Sequence, residues 1–273
     1  MTPRVSLAVD AHVDYAFYAP LTVLAWAAIG YGSTLVKVDW THSPHLQCAS
    51  DFLDEISPRI LTSFQIDTPK GYRSCNVAQI ARLYATVKHP TYCLTSDIDM
   101  WPIDTKFFVP PDNLEDLTLY YANNPTRYPI CYVGAGAATW ASILDIDPRR
   151  PLQALITSHM TRHLSVDTHP QDAWQHDEEW LTARIWDFRR SNPGPVREVL
   201  RAQGEPPTDR LDRSAWPSTF FRVLDSLGGV VDAHLPRPGH TQWGRLRPLF
   251  GMVCPNVLTR ADQYVQNYLE AVT

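Results

Sequence analysis

The chain has 273 residues, 44% of them hydrophobic, and its 24 Lys and Arg against 29 Asp and Glu give a formal charge of −5. That apolar content supports a sizeable core and excludes a disordered chain, and an acidic balance without a long basic block argues against nonspecific nucleic-acid binding. Five cysteines (Cys48, Cys75, Cys93, Cys131 and Cys254) form no CxxC pair and leave one unpaired, and the three in apolar-periodic stretches read as core thiols of a reducing compartment. Asp10, His12 and Asp14 interrupt the N-terminal apolar residues, so no signal peptide is read there. The longest apolar stretch, 16–29, is too short to span a bilayer, and a cytoplasmic protein without a membrane span is expected.

Residues 4–9 alternate and predict a first strand. Pro20 suits the first turn of a helix running to Ile29, where Gly30 stops it. Strands are predicted over 33–38 and 59–64, with a helix over 46–56 between them. Residues 76–87 place Val77, Ile80, Ala81, Tyr84 and Val87 on one helical face. A buried strand over 91–102 follows, rich in β-branched and aromatic residues and closed by Pro102. This βαβαβα order predicts an α/β fold: a mixed, mostly parallel sheet flanked by helices.

The second half is less regular. Strands are predicted over 117–122 and 132–133, a small-residue turn over 134–138, and helices over 151–160, 178–189 and 262–271. Residues 191–218, rich in Pro, Arg and Gly, read as an irregular loop, and 223–231 lead into a proline-constrained loop. No repeat or linker appears, so one domain is expected over 1–273.

Asp97 and Asp99 end the strand at 91–102 with only Ile98 between them. In an extended chain residues i and i+2 share a face, so the two carboxylates are expected to project together while Ile98 enters the core. Paired carboxylates repel and resist burial unless a cation offsets them, and a divalent ion carrying a diphosphate would do so. Asp10 follows the first strand, so two strand ends deliver acids to the edge where open α/β sheets bind ligands.

The N-terminal strand, the run Asn76-Val-Ala-Gln79-Ile-Ala-Arg82-Leu-Tyr84-Ala and the run Leu94-Thr-Ser-Asp97-Ile-Asp99 resemble the nucleotide-sugar half of GT-A-fold glycosyltransferases. The resemblance is clearest over residues 4–104, which would form that half, with 105–273 as the acceptor half. It implies a DxD motif whose Asp97 and Asp99 hold Mn²⁺ or Mg²⁺ against a donor diphosphate, Asp97 also lying near the ribose. It implies that Asp10, His12 and Tyr15 cradle the base and ribose, and that Arg82 meets the phosphate or Asp97. A downstream acidic residue at a helix start would be the base for an inverting transfer, and Asp177 and Glu178 compete for that role, with Glu179 third. A C-terminal histidine would complete the metal shell, either His234 or His240, with Arg237 on the phosphate. Gly134 and Gly136 are expected to let an acceptor approach the backbone. Trp101, Trp140, Trp174 and Trp243 are candidate faces for sugar rings.

The resulting expectation is a metal-dependent glycosyltransferase that moves sugar from a nucleoside-diphosphate sugar, a UDP-sugar first, to a glycan or other hydroxyl acceptor. A sugar nucleotidyltransferase is the first alternative, but it needs a glycine-rich basic loop where this chain has Asp10-Ala-His-Val-Asp14-Tyr. A noncatalytic carbohydrate-binding protein that keeps the fold is the second.

Overall fold

A computed structural model describes residues 2–56, 60–123, 127–168, 170–194, 196–200, 209–213, 216 and 229–273. The first half follows the sequence closely. Strand β1 (Arg4–Val9) leads through the one-turn helix α1 (Val13–Ala16) into α2 (Tyr18–Ala28), and then come β2 (Gly32–Val38), α3 (Pro44–Ile56), β3 (Leu61–Ile66) and α4 (Ser74–Ala85). Every residue of α2 from Tyr18 to Trp26 is buried. A helix apolar all round has no face to offer water and must lie inside the molecule. Pro20 sits in its first turn, and Gly30 follows its end at φ +91°, a left-handed conformation that glycine adopts without a Cβ clash.

The strand expected over 91–102 is instead two strands. β4 (Cys93–Thr95) stops at Thr95, and β5 (Met100–Pro102) belongs to a second sheet. Between them the chain turns, with Met100 N donating to Asp97 O at 3.3 Å. Thr22 of α2 pins the turn from inside: its hydroxyl donates to Ile98 O at 2.5 Å and accepts from Trp101 Nε1 at 3.1 Å. Ile98 is buried as anticipated, but Asp97 and Asp99 leave a turn rather than one face of a strand, and they meet different partners.

Strands β6 (Leu117–Tyr120), β7 (Val133–Ala135) and β8 (Val196–Val199) complete a seven-stranded sheet ordered β3-β2-β1-β4-β7-β6-β8. Its pairs are parallel except for β4 with β7 and β6 with β7. Strands β9 (Arg210–Leu211) and β10 (Asp232–His234) join β5 in a three-stranded sheet, where β10 runs antiparallel to β5 and sets His234 opposite Met100. The α/β architecture, mixed and mostly parallel with helices on its faces, is the one expected.

Two apolar clusters sandwich the large sheet. One gathers α2, α3 and the two C-terminal helices, Trp243–Val253 and Leu258–Val272. The other gathers α4 with α5 (Ala137–Leu144), α6 (Leu152–His163) and α7 (Pro170–Ser191). The C-terminal helix reaches under the start of the chain: Tyr264 OH donates to Phe17 O at 2.9 Å and Tyr268 OH to Val13 O at 2.7 Å.

Three local expectations change. Residues 134–138 are not a turn but the end of β7 and the start of α5. Helix α7 begins at Pro170, so the acidic cluster near Asp177 lies inside a helix and not at its N-terminus. The helix Trp243–Val253 was not anticipated because Pro248 lies within it, and an internal proline reads as a break. Residues 223–228 of the expected 223–231 segment lie outside the described residues. Among the described residues no helix is long and apolar enough to cross a membrane.

Candidate functional site

A cavity of about 420 Å³ opens at the carboxyl ends of β1 and β4. Asp10, Tyr15, Arg82, Asp97, Asp99, Asp177, Glu178, His234 and Arg237 all line it. The sequence-predicted polar groups therefore converge, with three exceptions, of which Glu179 is exposed on α7 outside the cavity. His12 is exposed and caps α1, its Nδ1 accepting from Asp14 N at 3.3 Å. His240 packs against Phe17 and Tyr268, with Nδ1 3.6 Å from Asp14 Oδ1. None of the three lines the cavity.

The first strand's end is held rigidly. Asp10 is 7% exposed; Oδ1 accepts from His12 N and Oδ2 from Ser74 Oγ, both at 3.1 Å. Tyr15 lies under the Arg237 guanidinium, 4.4 Å from ring centroid to Cζ, and its hydroxyl accepts from Arg237 Nη1. Burial pushes the Tyr15 pKa up to about 12, so the hydroxyl stays protonated.

Arg82 is buried, whereas its spacing on α4 suggested a position off the apolar face. It pairs with Asp97 through Nη1 and with Asp177 through Nη2, the latter at 2.7 Å. Asp177 lies on a buried stripe of α7 that repeats every four residues: Ala173, Asp177, Leu181, Ile185. A carboxylate on such a stripe needs a cation, and Arg82 supplies it. Asp177 Oδ1 also accepts from Glu178 N at 2.8 Å. Both oxygens of Asp177 are thus engaged within the protein. Helices α4 and α7 are further joined by Asn76 Nδ2 to Ala173 O at 3.1 Å and Gln79 Nε2 to Trp174 O at 3.0 Å.

Glu178 differs. It faces the cavity, half-buried, with Oε2 2.5 Å from Arg127 Nη2. Burial raises its pKa above the ordinary glutamate value, and Arg127 opposes that rise. A carboxylate with raised basicity beside a substrate cavity is equipped to take a proton.

Asp99 meets a different set of partners. Arg237 Nε and Nη2 each lie 2.8 Å from its Oδ2, Arg213 Nη2 lies at 3.5 Å and His234 Nε2 at 3.8 Å. Burial alone would raise its pKa; Arg237, His234 and Arg213 together outweigh that and hold it below the usual carboxylate range. The β5–β10 pairing brings His234 here, and so selects it over His240 as the histidine near Asp99. Burial lowers the His234 pKa despite Asp99, which favours a neutral ring with a nitrogen able to ligate.

Among the described residues no three His, Cys, Asp or Glu side chains already stand together as a metal cluster. The donor chemistry nonetheless suits a hard divalent ion: two carboxylates and one neutral imidazole border one cavity. Charge balance also leaves room for one. Five arginines line the cavity, and so do five Asp and Glu. Arg210 is further committed to the buried Asp232, at 2.8 and 2.6 Å. An incoming diphosphate would find its own charge uncompensated.

Arg127, Arg210 and Arg213 escaped sequence reading. The last two sit in or beside an Arg- and Pro-rich stretch that carries no periodicity, and no spacing signal marks any of the three. Of the four tryptophans, Trp101 and Trp140 fill core and Trp243 bonds Asp262, while Trp174 stands 47% exposed on the cavity lining. Gly134 and Gly136 make room for neighbours of their own: a Cβ would strike the Tyr92 phenol at one and the Glu115 carboxylate at the other.

No family model matches the chain, and no curated protein matches it. Solved structures resemble it in backbone path. The galactosyltransferase LgtC in complex with donor and acceptor sugar analogues is 13% identical, with a TM-score of 0.45 over 92% of this chain and 95% of that one. An active-site mutant of LgtC is 11% identical, with a TM-score of 0.46 over the same shares. The apo-form glycosyltransferase GlyE of Streptococcus pneumoniae is 11% identical, with a TM-score of 0.48 over 96% of this chain and 64% of that one.

Proposed function

We propose that this protein transfers a sugar from a nucleoside-diphosphate sugar, a UDP-sugar foremost, to a hydroxyl of a glycan or related acceptor. The observation that supports this reading is the convergence, in one cavity at the ends of parallel strands, of Asp97, Asp99 and His234 with Arg82 and Arg237. Asp10 and Tyr15 border the nucleotide side. An ionised carboxylate accepts from ribose hydroxyls or a base N–H, and a tyrosine ring offers a stacking face.

Mn²⁺ or Mg²⁺ would be held by Asp97, Asp99 and His234, and would offset negative charge gathering on the diphosphate as it leaves. Arg82 fixes Asp97 and Asp177, so two elements far apart in sequence meet the donor in one arrangement. Glu178 is the residue assigned to take the acceptor's proton in an inverting reaction. Its raised pKa improves it as a base, and the Arg127 guanidinium opposes that rise. Trp174 at the rim offers an aromatic face to the acceptor.

The test is a thermal-shift series with UDP, GDP, ADP and their sugars, with and without Mn²⁺. At a hundred times Kd a ligand adds about 2.7 kcal/mol, which for a chain of this size raises Tm by roughly 5–10 °C. UDP with Mn²⁺ should give that shift, and Asp99→Ala should abolish it. Equal shifts with a chelator present would overturn the metal site, and no shift with any nucleotide would overturn the donor class.

A further inference from the structure

Asp99 is 2% exposed, yet two arginines already occupy its outward side. Arg237 directs both Nε and Nη2 at Oδ2, and Arg213 approaches the same oxygen at 3.5 Å. Arg213 also lies on His234, with Nε 3.3 Å from Nδ1 and Nη2 against Nε2. The two side chains that would ligate a divalent ion beside Asp97 are thus both engaged by guanidiniums, Asp99 through its Oδ2 and His234 with the Asp212 carboxylate also 3.3 Å from its Nδ1. A dication at the same carboxylate would stand within a few ångströms of two positive charges in a partly dry cavity, where screening is weak. The ion and the arginines would repel one another across Asp99 unless a strong anion stood between them.

Arg237 has somewhere else to go. Its Nη1 rests on the Tyr15 hydroxyl and its plane on the Tyr15 ring, on the side of the cavity assigned to the nucleotide. A guanidinium binds phosphate oxygens in the same two-pronged manner as a carboxylate.

We infer that Arg237 and Arg213 are exchangeable counter-ions of Asp99: they hold the carboxylate when no divalent ion is bound, yield it when one enters, and pass to the diphosphate that enters with it. This rests on the metal reading above. The consequence is ordered loading, in which the ion alone binds weakly and the ion with nucleotide binds strongly. Reciprocity requires each to raise the other's affinity by the same factor.

The experiment measures Mn²⁺ binding from the electron-paramagnetic signal of the free ion, with and without UDP, in the wild type, Arg237→Gln, Arg213→Gln and Asp99→Asn. Without UDP, Arg237→Gln should bind Mn²⁺ roughly tenfold more tightly than the wild type, a coupling of ordinary size. UDP, titrated at saturating Mn²⁺, should bind that variant at least tenfold more weakly. Arg213→Gln should shift both in the same directions and guards against a folding defect confined to one variant, with melting curves run on all four proteins. Unchanged or weakened Mn²⁺ binding in both arginine variants overturns the exchange while leaving the metal site standing. Failure of Mn²⁺ to bind the wild type even with UDP, or undiminished binding in Asp99→Asn, overturns the metal reading itself.

Discussion

Nη2 of Arg82 lies 2.7 Å from Oδ2 of Asp177, ninety-five positions further along the chain. The same guanidinium holds Asp97. One side chain on α4 therefore ties the turn after β4 to the wall formed by α7, and both carboxylates line the cavity.

Replacement of Arg82 leaves Asp177 buried without its cation. Arg82→Gln should lower unfolding free energy by about 3 kcal/mol, the usual loss when one partner of a buried pair is removed. Arg82→Lys keeps the charge but offers one ammonium to two carboxylates, and should lose less. Urea denaturation measures both, and equal stability of Arg82→Gln and the wild type would refute the clamp.

Glu178→Gln should reduce kcat by about a hundredfold or more while UDP binding changes little, as expected for a lost general base. Activity should fall as pH drops through the Glu178 pKa, because the base must be ionised. Arg127 lowers that pKa, so Arg127→Gln should move the acid limb of the pH–rate profile to higher pH. A limb that stays in place counts against Glu178 as the titrating group.

Gly134 faces the fully buried Tyr92, whose ring a Cβ would strike. Gly134→Ala should cost about 2–3 kcal/mol through overpacking. Gly244 is the contrast: a Cβ there meets nothing within 4 Å on the helix Trp243–Val253. Gly244→Ala should gain up to about 1 kcal/mol. Melting temperatures of the pair should move in opposite directions.

His159 is 2% exposed, with Nδ1 3.0 Å from Tyr84 OH and Nε2 3.1 Å from His176 Nε2. Burial first, then His176 and His163, push its pKa down to about 3. Between pH 6.5 and 3 the unfolded chain binds a proton there that the folded chain refuses, so stability falls as pH drops through that window. One proton is worth about 1.4 kcal/mol per pH unit. His159→Gln should flatten the stability–pH curve by up to that slope between pH 6 and 4, and an unchanged slope would place the proton uptake elsewhere.

The parallel half was legible because each strand and helix there carries its own period, and β1, β2, α3 and α4 emerge near their predicted ends. Asp10, Asp97 and Asp99 were legible for the same reason, each standing just past an apolar strand. What escaped depends on pairings between distant segments. The burial of Arg82 follows from a carboxylate on α7, which a four-residue repeat through Asp177 would have disclosed had the helix been traced back to Pro170. The choice between His234 and His240 is decided by the register of β10 on β5, which no local spacing encodes. Extended-chain geometry misplaced the two aspartates because the Thr22 hydroxyl, in another helix, turns the backbone at Ile98.

The hydroxyls of Tyr264 and Tyr268 make the loop after β1 a late arrival. That loop leaves the ribosome early, but the long-range hydrogen bonds to its backbone at Val13 and Phe17 come from residues 255 and 247 positions further on. A chain ending between Asp99 and Tyr264 would therefore keep both aspartates and lack the two hydroxyls that hold Val13 and Phe17.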